Sequence, residues 1–165
     1  MADAQDRRPW ALIVLVTAVF WGGLLAGVSF LATPVKFLAP SLSLAVALDV
    51  GRHTFAAFSR LEWGLSLILL AVLIAGLRQR GAVVAAGIVV ALVIVEAVWL
   101  LPVLDQRVGL IMAGQTPPPS RLHMLYIVFE ALKLLGLTVI AVMAARGLMR
   151  GPVLEQNGKE FLAAG

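Results

Sequence analysis

Residues 53–104 read HTFAAFSRLEWGLSLILLAVLIAGLRQRGAVVAAGIVVALVIVEAVWLLPVL, and this stretch decides the fold. It holds two apolar runs, 53–77 and 82–104. Each exceeds the ~20 residues that, at about 1.5 Å per residue, cross a hydrocarbon core of about 30 Å. Only Arg78, Gln79, Arg80 and Gly81 separate them. So short a connection makes the two helices antiparallel neighbours.

Working outward, Trp10 to Thr33 contains no charged residue and predicts a span over 10–33, and a fourth run predicts a span over 122–145. The first run follows Arg7 and Arg8 but is longer than the ~7–15 apolar residues of a cleavable signal, so it is expected to remain attached. The expected fold is all-α: a polytopic four-transmembrane-helix bundle in one domain, 1–150, followed by a polar cytoplasmic tail, 151–165. Composition agrees. Of 165 residues 61% are hydrophobic and 13% charged, and the mean hydropathy is +1.00. A soluble domain carries about 25% charged residues, because water-facing surface must be polar. This chain's exterior has to face lipid instead, which makes the bilayer its first partner.

The net charge of +4 does not point to nucleic acid. The basic residues stand at the ends of apolar runs, as membrane flanks do, rather than along one stripe. With no cysteine, thiol redox chemistry, iron–sulfur clusters and Cys-based zinc sites are excluded. With the amino terminus inside, Arg7, Arg8, Arg78, Arg80, Arg146, Arg150 and Lys159 lie in the cytoplasm against Lys36, Arg52, Arg107 and Arg121 outside. The positive-inside rule therefore puts both termini in the cytoplasm of a plasma or bacterial inner membrane.

The two outer connections, Pro34–Arg52 and Asp105–Ser120, are long enough for structure of their own. In the first, Pro40 and Ser41 are expected to start a short interfacial helix closed by Asp49 and Gly51. In the second, Pro117, Pro118 and Pro119 are expected to be extended, with Ser120 capping the last helix. Gly23 and Gly27 form a G-x-x-x-G whose face is expected inside the bundle, a seam between two copies being the competing reading.

Three acidic residues, Glu62, Glu96 and Glu130, fall within apolar runs, where insertion of a charge costs about 2.5–3.5 kcal/mol. Each lies nine positions from the outer end of its span, about 13 Å deep, so the three are expected in one layer. On the last helix His123, Tyr126, Glu130 and Lys133 follow spacings of three, four and three and share a face. Lys133 is a counter-ion for Glu130 or Glu96, and Arg60 for Glu62 or another acid nearby. The candidate ligand-binding cluster is therefore Arg60, Glu62, Glu96, His123, Tyr126, Glu130 and Lys133. Its alternative role is to hold helices in register. No metal site is expected, because the Glu-x-x-His pairs of di-iron bundles are absent. His53 and His123 suit a bis-histidine haem by ligand type, but interfacial histidines satisfied by water and neighbours are the preferred reading, and no cofactor is expected. No phosphate loop, nucleophile elbow or zincin motif occurs, so no catalytic residue is assigned.

At the start of the second span Gly51, Arg52, His53, Thr54 and Phe55 resemble the G/P-R-H-T-F segment of the transmembrane protein 205-like family of small four-helix membrane proteins. Trp99, Leu100, Pro102 and Arg107 are similar to that family's segment at the end of its third helix, here with Leu101 inserted before the proline. Arg121 and His123 resemble the pair opening its last helix, and the likeness extends from about Trp21 to Gly147. The resemblance implies a polytopic membrane protein; one animal relative is associated with tolerance of platinum drugs. It supplies no catalytic residue and no role for Glu96, Glu130 or Lys133. The expected function is a non-enzymatic membrane protein that binds or helps move a small ion or amphiphile in stress tolerance. A structural subunit of a membrane complex, or of a homo-oligomer, is the alternative.

Overall fold

The structure, a computed structural model, describes residues 4–76 and 79–149. The tail expected over 151–165, and with it Arg78, Arg150 and Lys159 from the charge count, lies outside the described residues. Four long helices make up nearly all of it: α1 (Arg8–Lys36, its helix beginning at Ala4), α2 (Leu44–Ala75), α3 (Arg80–Met112) and α4 (Leu122–Met149). Each is apolar enough and long enough to cross a membrane; the shortest, of 28 residues, spans about 42 Å.

The helices pack in a closed ring in chain order, α1 beside α2 and α4, and α3 beside α2 and α4. They alternate in direction. Trp10 early in α1 stands against Gly76 just past α2, Gly81 early in α3 against Met143 late in α4, and Arg52 early in α2 pairs with Asp105 late in α3. The bundle thus has one end with the 37–43 and 113–121 connections and an opposite end where Gly76 and Gln79 lie, α2 ending at Ala75 and α3 starting at Arg80.

The inward positions repeat at three and four, as a helix that buries one stripe requires. They are Phe58, Glu62, Leu65, Leu69 and Leu73 on α2, Ala82, Ala86, Val89, Val93, Glu96 and Leu100 on α3, and Tyr126, Glu130, Lys133, Leu137, Ile140 and Ala144 on α4. Gly136 lets α4 approach α3 closely, since a Cβ there would collide with Val89 Cγ2 at 2.6 Å. Outward faces are apolar: Leu67, Val98 and Leu135 are 66%, 69% and 61% exposed, whereas Lys133 is 0% exposed. This inverts the arrangement of a water-soluble protein.

Both α1 and α3 contain a wide π turn, Ala26–Ala32 and Glu96–Leu100, and each is followed two residues later by a proline, Pro34 and Pro102. Proline has no N–H and its ring presses on the preceding turn, so an α-helix bends or breaks there. An i→i+5 turn widens the helix just ahead of the ring. The amide of Thr33 bonds Val28 O and that of Leu101 bonds Glu96 O in this way, and both helices continue.

Three sequence expectations are corrected. The interfacial helix from Pro40 to Gly51 does not exist separately. Ser43 caps α2 by accepting from Val46 N at 3.3 Å, and the helix runs through Asp49 and Gly51 without a break. Gly51 lies within the helix, and its missing side chain leaves room for the Lys36 ammonium. The third helix does not stop at Leu104 but reaches Met112, where Gly114 at φ +77° closes it: Gly114 N bonds Ile111 O and Gln115 N bonds Leu110 O, both at 3.0 Å. Gly23 and Gly27 face open space rather than a neighbouring helix; Gly22 is the glycine turned inward, against Leu134. Ser120 caps α4 as expected, accepting from Leu122 N at 3.2 Å.

Candidate functional site

Glu62, Glu96 and Lys133 occupy core positions of three different helices, and Glu130 lies one turn from Lys133, so the helical repeat delivers all four to one point. Lys133 Nζ is 2.8 Å from Glu62 Oε1, 2.5 Å from Glu96 Oε2 and 2.7 Å from Glu130 Oε1. The first two are hydrogen bonds and the third is an ion contact without that alignment. Carboxylate oxygens of the three glutamates lie within 4.8 Å of one another, and no cluster residue is more than 3% exposed.

α1, which has no charge in its span, supplies two neutral donors. Trp21 Nε1 donates to Glu62 Oε1 at 3.1 Å, and Ser29 Oγ donates to Glu130 Oε2 at 2.7 Å. Ser29 sits in the π turn of α1 and Glu96 opens that of α3, so both widened turns border the cluster. All four helices thereby contribute to the cluster around Lys133, α1 through its bonds to Glu62 and Glu130. Glu96 Oε1 and Glu130 Oε1 remain without a hydrogen-bond partner, as does buried Ser66 Oγ one turn from Glu62. Three carboxylates thus share one ammonium. The ammonium stands where the three acids converge, so the donor set is that of an ion-paired lysine.

Two adjoining cavities lie between the cluster and the 37–43 end, with Thr33, Phe37, Phe55, His123 and Tyr126 in the walls of both. The smaller, of about 310 Å³, reaches Ser29 and Glu130 and has no lysine or arginine in its lining. The larger, of about 560 Å³, is walled by all four helices and bears Lys36, Arg52, Arg60 and Asp105. The rim of Phe55 packs on Tyr126, with ring centroids 5.1 Å apart at 65°. Toward the 76–79 end the core is closed by Leu69, Leu73, Val89, Leu137 and Ile140.

The structure brings Glu62, Glu96, Glu130 and Lys133 together, with Tyr126 buried one turn before Glu130. It does not bring Arg60 or His123 to them. Arg60 is exposed and lines the larger cavity, because two residues of helix turn it about 200° from Glu62. His123 lies at the exposed start of α4. Trp21 and Ser29 are the members that sequence reasoning missed; the available signal was Trp21 itself, an indole N–H in mid-span that needs an acceptor.

Of the residues that carry the resemblance, Gly51, Arg52, Phe55 and Pro102 line the larger cavity. Arg52 Nε pairs with Asp105 Oδ1 at 2.9 Å, and Arg107 donates to Pro118 O at 2.6 Å, tying the 113–121 connection to α3. Thr54 Oγ1 donates to Val50 O, while exposed His53 contacts Asp49 O at 2.9 Å. Trp99 and Arg121 face outward. Comparison with protein-family models, curated proteins and solved structures finds no match to this chain.

Proposed function

We propose that the chain is a polytopic integral membrane protein of a plasma or bacterial inner membrane, with both termini in the cytoplasm, that takes up a small cation at its buried carboxylates from the outer side. The observation that carries this reading is the ratio of three buried carboxylates to one ammonium. An uncompensated charge in a low-dielectric interior costs several kcal/mol, so the cluster is completed by small cations, the proton first among them. The smaller cavity, free of fixed cations and floored by Glu130, is the route of entry. The closed apolar core beyond the cluster makes the site one-sided, so transfer to the other face requires the helices to part. Kinship with the transmembrane protein 205-like family belongs to the same proposal, as does a part in stress tolerance; both rest on the motif residues.

Detergent-purified protein moved from alkaline to acidic medium is expected to take up more protons than the Glu96→Gln and Glu130→Gln variants, with infrared difference spectra assigning the carboxyl involved. If both variants fold by circular dichroism and match the wild type in uptake of protons and of added sodium, potassium or calcium, the reading is rejected. A second reading, a structural subunit held in register by its ionic cluster, is favoured by the way the cluster joins all four helices. It predicts variants that lose stability or partners while uptake is unchanged.

A further inference from the structure

The larger cavity has a shape and charge that the cation reading leaves unused. Its volume of about 560 Å³ falls within the ~300–1,000 Å³ of small-molecule sites. One edge runs down the side of the bundle. On α2 that edge is Ala56, Arg60 and Trp63, all exposed and spaced by four and three; on α3 it is Ala97, Leu101 and Leu104 at the same spacing. The opening between the two rows is therefore lateral, toward whatever surrounds the apolar faces, and the α3 row presents only aliphatic side chains.

The charge lies at one end and along one wall. Lys36, Arg52 and Arg60 face the cavity against a single carboxylate, Asp105, which Arg52 already engages. Lys36 and Arg60 form no ion pair among the described residues. The Lys36 ammonium sits over the rings of Phe37 and Phe55, 5.1 Å and 5.6 Å from their centroids, inside the wall. A groove open sideways to lipid, aliphatic along α3, with Lys36 at one end and Arg60 on its α2 wall and neither cation paired with an anion, matches one kind of ligand by charge complementarity and by polarity.

We propose that this cavity binds a single-chain amphiphile with an anionic head group, its chain along the α2–α3 groove and its carboxylate or phosphate at Lys36 and Arg60. The site is distinct from the cation site at Lys133, which opens into the smaller cavity. Electron paramagnetic resonance of the full chain with doxyl-labelled stearic acid, its methyl ester, and doxyl-labelled lysophosphatidic acid tests it. At least one of the two acids is expected to show a motionally restricted component that the uncharged ester lacks, and the tighter of the two identifies the head group. Charge-assisted contacts are strong enough that the Lys36→Gln/Arg60→Gln double variant loses about tenfold or more in affinity. Ala97→Trp, which fills the groove, removes the component, whereas Glu130→Gln keeps it even if cation uptake is lost. An ester restricted as strongly as both acids, or a folded double variant that binds like the wild type, overturns the proposal.

Discussion

Lys133 is the one cation among three acids, and the consequences of removing it differ from those of removing any other cluster member. Breaking a buried ion pair by deleting one partner typically costs about 3–5 kcal/mol, because the remaining charge is left uncompensated. Lys133→Met is expected to lose stability on that scale, read from thermal or denaturant unfolding in detergent. Trp21→Phe deletes the hydrogen bond to Glu62 and leaves a gap where part of a fully buried ring stood, and is expected to lose about 2–4 kcal/mol. A Lys133→Met protein as stable as the wild type would show that the acids carry no net charge needing an ammonium. These four charged residues could be read from sequence, because a depth of nine residues and a spacing of three or four are fixed by helix geometry. Arg60 obeys the same geometry in the opposite sense: a residue two positions from Glu62 points away from it, out of the cluster. Ser29 left no such trace, since its role depends on a π turn that no spacing rule announces.

At the scale of the helix, hydropathy finds the part of a helix inside lipid and says little about where the helix ends. Asp105, Gln106 and Arg107 mark the limit of the apolar run, yet α3 continues to Met112, since a loss of hydropathy does not end a helix and Gln and Arg are good helix formers. Its true stop is written in Gly114, whose φ of +77° an L side chain adopts only at a cost of about 1–2 kcal/mol. Gly114→Ala is therefore expected to fray the last turn of α3, with faster amide exchange at Gln115 and Gly114 and no change in the cluster. Slow exchange at these amides in the variant would reject that assignment of the cap. The start of α2 follows the same logic: Ser43 is the cap, and Asp49 to Arg52, whose charges and glycine suggest a break, are tolerated within the helix. Pro34 and Pro102 do not end their helices, because each is preceded by a widened turn that keeps the helix going.

For the whole molecule, the distribution of polar groups along the bundle is asymmetric, and that asymmetry ties topology to function. Both cavities lie in the half of the bundle toward the 37–43 end, while the half toward Gly76 and Gln79 is packed with aliphatic side chains around Leu69 and Leu137. Which compartment reaches the carboxylates therefore depends only on which end faces it. Arg8, Arg80 and Arg146 flank the sealed end, and Lys36, Arg52, Arg107 and Arg121 the open one. The positive-inside rule would place the end richer in basic residues, counted over the whole sequence, in the cytoplasm, and labelling of each end tests that expectation. The chain has no cysteine, so single replacements report cleanly. Leu38→Cys and Gln115→Cys are expected to react with a membrane-impermeant maleimide on intact cells, and Gln79→Cys only after permeabilisation. The opposite pattern would turn the open end to the cytoplasm, and the cation and the amphiphile would then have to be supplied from inside the cell.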